Sequence, residues 1–582
     1  MNINIFSLKA RHKKKIWYAS LCVLVIFAVL MVRLGYVMIF CSEYYMQRAD
    51  DLHERERSIK ASRGKILDIN GVVLASNKTV CTISVIHSQI KDSEEVIKML
   101  CSELNLTDEE VRKRVTKVTS IERIKTNVDK ETGDRIRNYG YDGVKVDEDY
   151  KRYYPYDTLA SKVIGFTGSD NQGIVGLEVK YDSWLAGNSG KILTLTDARG
   201  VELEGMQENR NEPESGMDLT ISIDYNIQTY AQQLANKALA EKQAKTVSII
   251  VMNPNNGEIM AMVNAPEYNL NEPYELNYEP ESIVTGEAYR NLLNGMWRNK
   301  CINDTYEPGS TFKMITATAA LETGAVTLDS QYYCPGYKIV EDRRIRCART
   351  TGHGAQDFTH TVMNSCNPAF IEWGLRTGVD NYYTYMGKLG ILEKTGIDIP
   401  GEASVIMHKK ENVGQVELAT MSFGQSFQIT PMQLMRAASA IINGGTLVTP
   451  HFGVKATSAG GSNVKVFEYE TKDNVINRQT SDTMKQILEK VVSEGGGKNA
   501  AIDGFCIGGK TATSQKLPRG NGKYIASFVG FAPADNPQVI AMCIIDEPVG
   551  VYYGGTVAAP VIKELFENML PYMGMEKVQQ QD

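Results

Sequence analysis

From Ile16 to Val32 the chain carries no charge, and after Arg33 an apolar run continues from Leu34 to Phe40. As a helix rising 1.5 Å per residue, Ile16–Phe40 would span about 37 Å, more than the hydrocarbon core of a bilayer. Such a segment must be buried in a core, be removed, or cross a membrane. Lys9, Arg11, Lys13, Lys14 and Lys15 precede it, which is the charge sense of a cytoplasmic end. A cleaved signal peptide would have a shorter apolar core and a small-residue cleavage site, and no A-x-A pattern follows. Ile39-Phe40 is a poor approach to a lipidated Cys41. The expectation is an uncleaved, single-pass anchor in the cell membrane. Residues 1–15 would form a cytoplasmic tail, residues 16–40 the span, and the bulk would lie outside. A buried core helix is the bland alternative, and uninterrupted apolar length weighs against it.

At 582 residues the chain needs at least two domains. Its 43% hydrophobic and 23% charged content is that of a folded protein. A net charge of −6 leaves no footprint for nucleic acid. The cysteines are scattered, unlike those of a small disulfide scaffold. After Cys41 a polar stretch to Arg63 reads as an extended or helical stalk. Asn70-Gly71 between two apolar runs predicts a hairpin. Ser93–Leu104 and Thr107–Val118 space apolar residues as helices. Near Met217 the pattern shifts. Leu219–Asp224 reads as a strand and Tyr225–Gln243 as a helix. Val247–Met252 and Ile259–Val263 read as paired strands, Ile525–Phe531 and Val539–Ile545 as further strands, and Val557–Met573 as a closing helix.

Chemistry first shows at Glu307-Pro308-Gly309-Ser310-Thr311-Phe312-Lys313, followed by the Ala-rich Met314–Glu322. Pro-Gly breaks structure and the alanines favour helix, so Ser310 falls in a first helical turn. Residues three apart share a helix face, which brings Lys313 within reach of the Ser310 hydroxyl. A serine needs a base to become a nucleophile, and a desolvated, neutral lysine can serve. The helix N-terminus favours developing negative charge there. S-x-x-K alone is common by chance. Two further stretches complete a set: Asn364-Ser365-Cys366-Asn367-Pro368 and Gly508-Gly509-Lys510-Thr511-Ala512-Thr513. In order they follow S-x-x-K, S-x-N and K-T-G, with Ala512 in place of the last glycine.

These motifs resemble those of the class B penicillin-binding proteins, monofunctional peptidoglycan transpeptidases. Arg63–Ala75 and Gly173–Gly187 resemble signatures of that family's pedestal. Asn253–Met262, Gly424-Gln425-Ser426, Thr430–Gln433 and Tyr553-Gly554-Gly555 fit its catalytic domain. The serine-cysteine form of the second motif resembles the sporulation branch and its elongation relatives in Gram-positive bacteria. The resemblance implies an α+β fold: a membrane anchor, an elongated β-rich pedestal over 41–215, a transpeptidase domain over 216–575 built on an antiparallel sheet with flanking helices, and a tail over 576–582.

It also implies roles. Ser310 would attack the D-Ala-D-Ala carbonyl of a stem peptide, with Lys313 taking its proton. Ser365 would relay that proton to the leaving amine, and Asn367 would hold the lysine or the substrate amide. Lys510 would keep the field positive, and Thr511 and Thr513 would bind the substrate carboxylate. The N–H groups of Ser310 and Thr513 would form an oxyanion hole. β-Lactams would acylate the same serine. A membrane-embedded glycan polymerase is the implied partner, with Arg33 inside the span as its contact, because a charge in lipid tends to face a partner. A β-lactam hydrolase or sensor on the same fold is one rival, although no second carboxylate motif offers a deacylating base. A non-catalytic scaffold is the other, and the intact motifs oppose it. The methyl of Ala512 would either enter the core or crowd the cleft and slow acylation.

No cofactor is required for that chemistry. A structural zinc is nevertheless suggested by Cys334, Cys347 and His353, just before the second motif. Two thiolates and an imidazole suit Zn²⁺, which usually takes four ligands; Asp342, Asp357 or water would supply the fourth. A Cys334–Cys347 disulfide and a pair of buried thiols are the alternatives.

Overall fold

The computed structural model describes residues 5–45, 54–119, 121–195 and 209–577. Helix α1, Ile5–Phe40, begins before the expected span and runs through it. Its segment Lys13–Phe40 is, among the described residues, the helix long and apolar enough to cross a membrane, and none of it is buried in protein. That removes the core-helix alternative, since a core helix hides its apolar surface. Of the expected stalk, residues 46–53 lie outside the described residues, and Glu54–Ile59 is a strand.

The chain divides into two compact units. The first comprises Met1–Ala61, Thr79–Tyr150 and Asn188–Glu214. Two of its helices, Ser93–Leu104 and Asp108–Val115, fall within the segments their periodicity marks. Asp92 caps the first by accepting from the N–H groups of Glu94 and Glu95. Val96, Ile97 and Leu100 face a small core with Cys81, Ile83, Val85 and Ile124. Glu54–Ile59 pairs with Gly190–Leu195, which pairs in turn with Asn209–Asn211.

The second unit comprises Ser62–Lys78, Lys151–Gly187 and Ser215–Asp582. It crosses the expected linear boundary at 215, for a physical reason. Ile66 pairs with Leu219 in parallel and with Ala75 antiparallel, as the Asn-Gly turn predicts. Arg63 is buried and donates through Nε to Glu178 Oε2 at 2.7 Å and through Nη1 to Asp182 Oδ1 at 2.6 Å. Arg152 Nε donates to Glu178 Oε1 at 2.6 Å. The two pedestal signatures are thus one buried ion cluster, held inside the unit that carries the catalytic motifs. Breaking such a cluster by removing one partner costs about 3–5 kcal/mol.

Around it, helix α2 is Tyr225–Glu241, β1 Thr246–Met252 and β2 Ile259–Ala265. Helix α3 is Lys313–Glu322, β3 Tyr337–Val340, β4 Arg343–Arg346 and α4 Asn367–Lys388. Strand β5 is Gly508–Gln515, β6 Tyr524–Ala532, β7 Val539–Asp546, and helix α5 Ala559–Tyr572. The central sheet runs β2-β1-β7-β6-β5 and is antiparallel throughout. Val247, Ile249 and Val251 pack with Ile227 of α2 and Ile562 of α5. Ile250 and Met252 pack with Phe312 and Ile315 on the other face. A sheet covered on both faces needs continuous apolar strands, which is why Val247–Met252 shows little polar alternation. β5 is an edge strand, so one of its backbone sides is free of sheet partners.

Candidate active site

Ser310 lies in a 3₁₀ turn, Gly309–Phe312, that leads directly into α3. Two glycines make the turn possible. Gly309 has φ +57°, and its N–H donates to the Gly424 carbonyl at 2.9 Å. A Cβ on Gly424 would sit 2.0 Å from the Gly309 carbonyl oxygen. The Gly424-Gln425-Ser426 stretch therefore braces the nucleophile's backbone. Glu307, buried just upstream, accepts from the Ser426 N–H at 2.9 Å and from Arg519 Nη2 at 2.5 Å. Neither Glu307 nor Arg519 stood out in the sequence as a site residue, although Glu307 opens the nucleophile stretch. Helix α3 is buried from Lys313 through Ala320. Its hydroxyls are satisfied inside: Thr316 donates to the Ser422 carbonyl at 2.9 Å and Thr318 to the Met314 carbonyl at 2.8 Å.

Lys313 is completely buried. Its Nζ donates to the Ser365 carbonyl at 2.7 Å, to Ser365 Oγ at 3.1 Å and to Asn367 Oδ1 at 2.7 Å. Lys510, on β5, donates to the same Ser365 Oγ at 3.0 Å. One hydroxyl thus accepts from two lysines, which leaves its own proton free to be donated. Ser365 has φ +50°. A non-glycine residue in that region costs of order 1–3 kcal/mol and persists where surroundings dictate it. The Ser365 N–H bonds to the Val362 carbonyl and the Cys366 N–H to the Thr361 carbonyl, while Asn367 opens α4.

Burial lowers the affinity of Lys313 for its proton to about 8, against a smaller opposing pull from the Cys366 and Cys347 thiols. Burial, and then the charge of Lys313, push Lys510 well below the ordinary lysine range. Lys510 is expected to keep the local field positive; burial disfavours its charge in the absence of an anion. Thr513 Oγ accepts from the Gly554 N–H at 3.0 Å, which ties the Tyr553-Gly554-Gly555 stretch to β5. Ala512 is 3% exposed and lies on the same face of β5 as Lys510 and Ser514, where a Cβ placed on Gly309 would come 3.7 Å from its own. Its methyl is buried beside the Gly309 turn and is not exposed to the cleft. The four polar groups expected from the motifs, on Lys313, Ser365, Asn367 and Lys510, are brought together. Ser310 is carried beside them, three residues before Lys313.

The sulfur and imidazole groups also converge, with one correction. The fourth member is Cys366, the middle residue of the second motif, in place of Asp342, Asp357 or water. Ligand atoms of Cys334, Cys347, His353 and Cys366 lie within 4.8 Å of one another. Asp357 instead caps the following helix through the His360 N–H at 2.8 Å, and Asp342 sits exposed at the hairpin turn beside Arg343. Cys334 and Cys347 are free thiols. A hydrogen bond from Cys366 pulls Cys347 down to about 5, and the same contact with burial pushes Cys366 up. A thiolate beside two thiols and an imidazole is a soft donor set of the Cys₃His kind, which fits tetrahedral Zn²⁺. A third cysteine 19 residues after Cys347 was the available signal in the sequence; its place inside S-x-N disguised it.

A serine and a buried lysine at the head of a central helix, a second serine between two lysines, and an edge strand alongside define an acyl-transfer site of the penicillin-recognising kind. The comparisons agree. Residues 247–567 match the family described as penicillin binding protein transpeptidase domain, and residues 58–221 match the penicillin-binding protein dimerisation domain. Stage V sporulation protein D of Bacillus subtilis is 37% identical over 573 residues, covering 97% of this chain and 86% of that relative. Peptidoglycan D,D-transpeptidase FtsI of Escherichia coli is 28% identical, covering 95% of this chain and 91% of its own. The crystal structure of penicillin binding protein 2X from Streptococcus thermophilus superposes with a TM-score of 0.72 at 21% identity, covering 88% of this chain and 80% of its own. The chain belongs to the class B penicillin-binding proteins.

Proposed function

We propose that this protein is a peptidoglycan D,D-transpeptidase working through an acyl-enzyme on Ser310. The observation that carries the reading is the Ser365 hydroxyl, shared by Lys313 at 3.1 Å and Lys510 at 3.0 Å. Neutral Lys313 takes the Ser310 proton as Oγ attacks the carbonyl carbon of the penultimate D-Ala. The N–H groups of Ser310 and Thr513 hold the oxyanion; losing one such donor typically costs about 10²–10³ in rate. Ser365 passes a proton to the amine of the terminal D-Ala, the C–N bond breaks, and an ester remains on Ser310. Thr511 and Thr513 hold the substrate carboxylate, whose charge would restore the proton to Lys510. An amine of a neighbouring strand then attacks the ester, returns its proton through the same relay, and leaves the cross-link. β-Lactams acylate Ser310 by the first half of this path. Mass spectrometry of the penicillin-treated protein should place the adduct on the peptide holding Ser310. An adduct on any other serine rejects the mechanism.

The anchor reading extends to orientation: the lysines and arginine of α1 that precede its apolar run keep the N-terminus in the cytoplasm and place the catalytic unit outside. The partner is a polytopic glycan polymerase that meets α1 at Arg33. Cross-linking from positions beside Arg33 should capture a polytopic protein, and capture of lipid alone would count against it.

Cys334, Cys347, His353 and Cys366 would together hold a zinc ion, which when bound supplies a structural clamp. The peptide between Ser365 and Asn367 is then fixed from behind by Cys366, while Lys313 fixes it from the front. In this reading the strained φ of Ser365 is imposed from both sides.

A further inference from the structure

The hairpin β3–β4 and the residues after it carry Lys338, Arg343, Arg344, Arg346 and Arg349, against Glu341 and Asp342, on a chain whose net charge is −6. Two of the cations are compensated. Lys338 pairs with Glu372 at 2.7 Å and Arg343 with Asp342 at 3.3 Å. Arg344, Arg346 and Arg349 are exposed, and among the described residues none is within ion-pair distance of a carboxylate. Arg344 lies 3.8 Å over the Tyr337 ring, which holds its guanidinium on the hairpin surface. The patch is not a loose loop. The Arg346 carbonyl accepts from Asn367 Nδ2 at 3.3 Å, and the Cys347 N–H donates to the Gly336 carbonyl at 2.9 Å. Asn367 in turn accepts from catalytic Lys313. Two hydrogen bonds therefore join the backbone of Arg346 to the base.

We propose that Arg344, Arg346 and Arg349 form an acceptor subsite, which holds the C-terminal carboxylate of the stem peptide whose amine attacks the acyl-enzyme. This rests on the transpeptidase reading. The donor's carboxylate is served by Thr511 and Thr513 on β5, the other wall of the site. The acceptor amine must lose its proton at Ser365, so its strand has to arrive on the Ser365 side, where the hairpin lies. An acceptor stem ending in D-Ala-D-Ala is itself an anion, and arginine forks match carboxylates.

The test uses the full-length protein in detergent, penicillin for acylation, a soluble stem peptide ending in D-Ala-D-Ala with its own amine acetylated as acyl donor, and soluble uncross-linked peptidoglycan chains as acceptor. In Arg344→Gln/Arg349→Gln, acylation by penicillin should stay within about twofold. The half-saturating acceptor concentration should rise about fivefold to tenfold, since exposed ion pairs are individually weak, with little change in the maximal rate. Lysine at both positions should recover most of the loss, and the salt dependence of the wild type should flatten in the glutamine variant. Chains with amidated C-termini should be poor acceptors for the wild type and insensitive to the substitutions. Normal acylation with unchanged acceptor dependence overturns this inference alone. So does a phosphate-bearing wall polymer that competes better than carboxylate-bearing chains. Failure of the wild type to acylate at all overturns the transpeptidase reading, and the subsite with it.

Discussion

The two walls around Lys313 are built on different physics. The Ser310 wall is held by packing. Its helix is buried on every side, its turn is clamped backbone-to-backbone by Gly424, and Glu307 is fixed by Ser426 and Arg519. The Ser365 wall is a turn between two helices, Phe358–Met363 and α4, whose Phe358, Val362 and Phe370 are core residues, but the turn itself is set by polar contacts. Short strands such as Gln331–Cys334 and Gly354–Asp357 precede it, Ser365 adopts a left-handed φ, and the turn is held by hydrogen bonds with a Cys/His cluster alongside. A nucleophile can be placed by a core. A proton relay must stay polar and reachable, so it has to be fixed by specific bonds, and it is the more fragile of the two.

The strongest break in that comparison removes the group both walls share. Lys313→Ala should slow penicillin acylation by about 10²–10⁴-fold, the usual reach of a general base. In the wild type the acylation rate should rise with pH through a midpoint near 8, because the base works only after losing its proton and burial lowers Lys313 to about 8. Stopped-flow acylation between pH 6 and 9.5 measures this; a flat profile would remove Lys313 from the base role.

Next comes the Ser365 wall. Chelation, or Cys366→Ser, should lower both the melting temperature and the acylation rate, the latter by about 10–100-fold, as loss of supporting groups around metal sites commonly does. Cys334→Ser, which changes the cluster outside S-x-N, should lower the melting temperature with a smaller effect on rate. Elemental analysis and thiol counting on protein purified without added metal decide the premise. A stoichiometric Cys334–Cys347 disulfide without zinc ends it.

The smallest effect belongs to the Ser310 wall. Ala512→Gly removes a methyl that is buried between β5 and the Gly309 turn. The acylation rate should change by less than about twofold, while stability falls by about 0.5–1 kcal/mol from the added backbone freedom of a strand glycine. A several-fold faster reaction with bulky cephalosporins would instead mean that the methyl crowds the ligand.

Much of this was legible along the chain because it is local. Apolar length marks α1, i to i+3 spacing links Ser310 and Lys313, and Asn70-Gly71 sets the register of Ile66 against Ala75. Helix ends were legible to within a few residues, as at Tyr225–Glu241, because caps such as Asp224 are read from neighbours. The family resemblance linked the motifs but could not say how they meet.

Local pattern along the chain supplies the inventory: an apolar span, Ser310 with Lys313, two partner motifs, and soft side chains upstream of the second. Tertiary structure alone decided three matters. It drew Arg63, Arg152 and Glu178 into one buried cluster within the catalytic unit. It turned the Ala512 methyl inward, since a strand's two faces are told apart only by what packs on each. And it brought Cys366 to Cys334, Cys347 and His353, because convergence of side chains distant along the chain depends on how the strands and loops between them fold, which no spacing encodes.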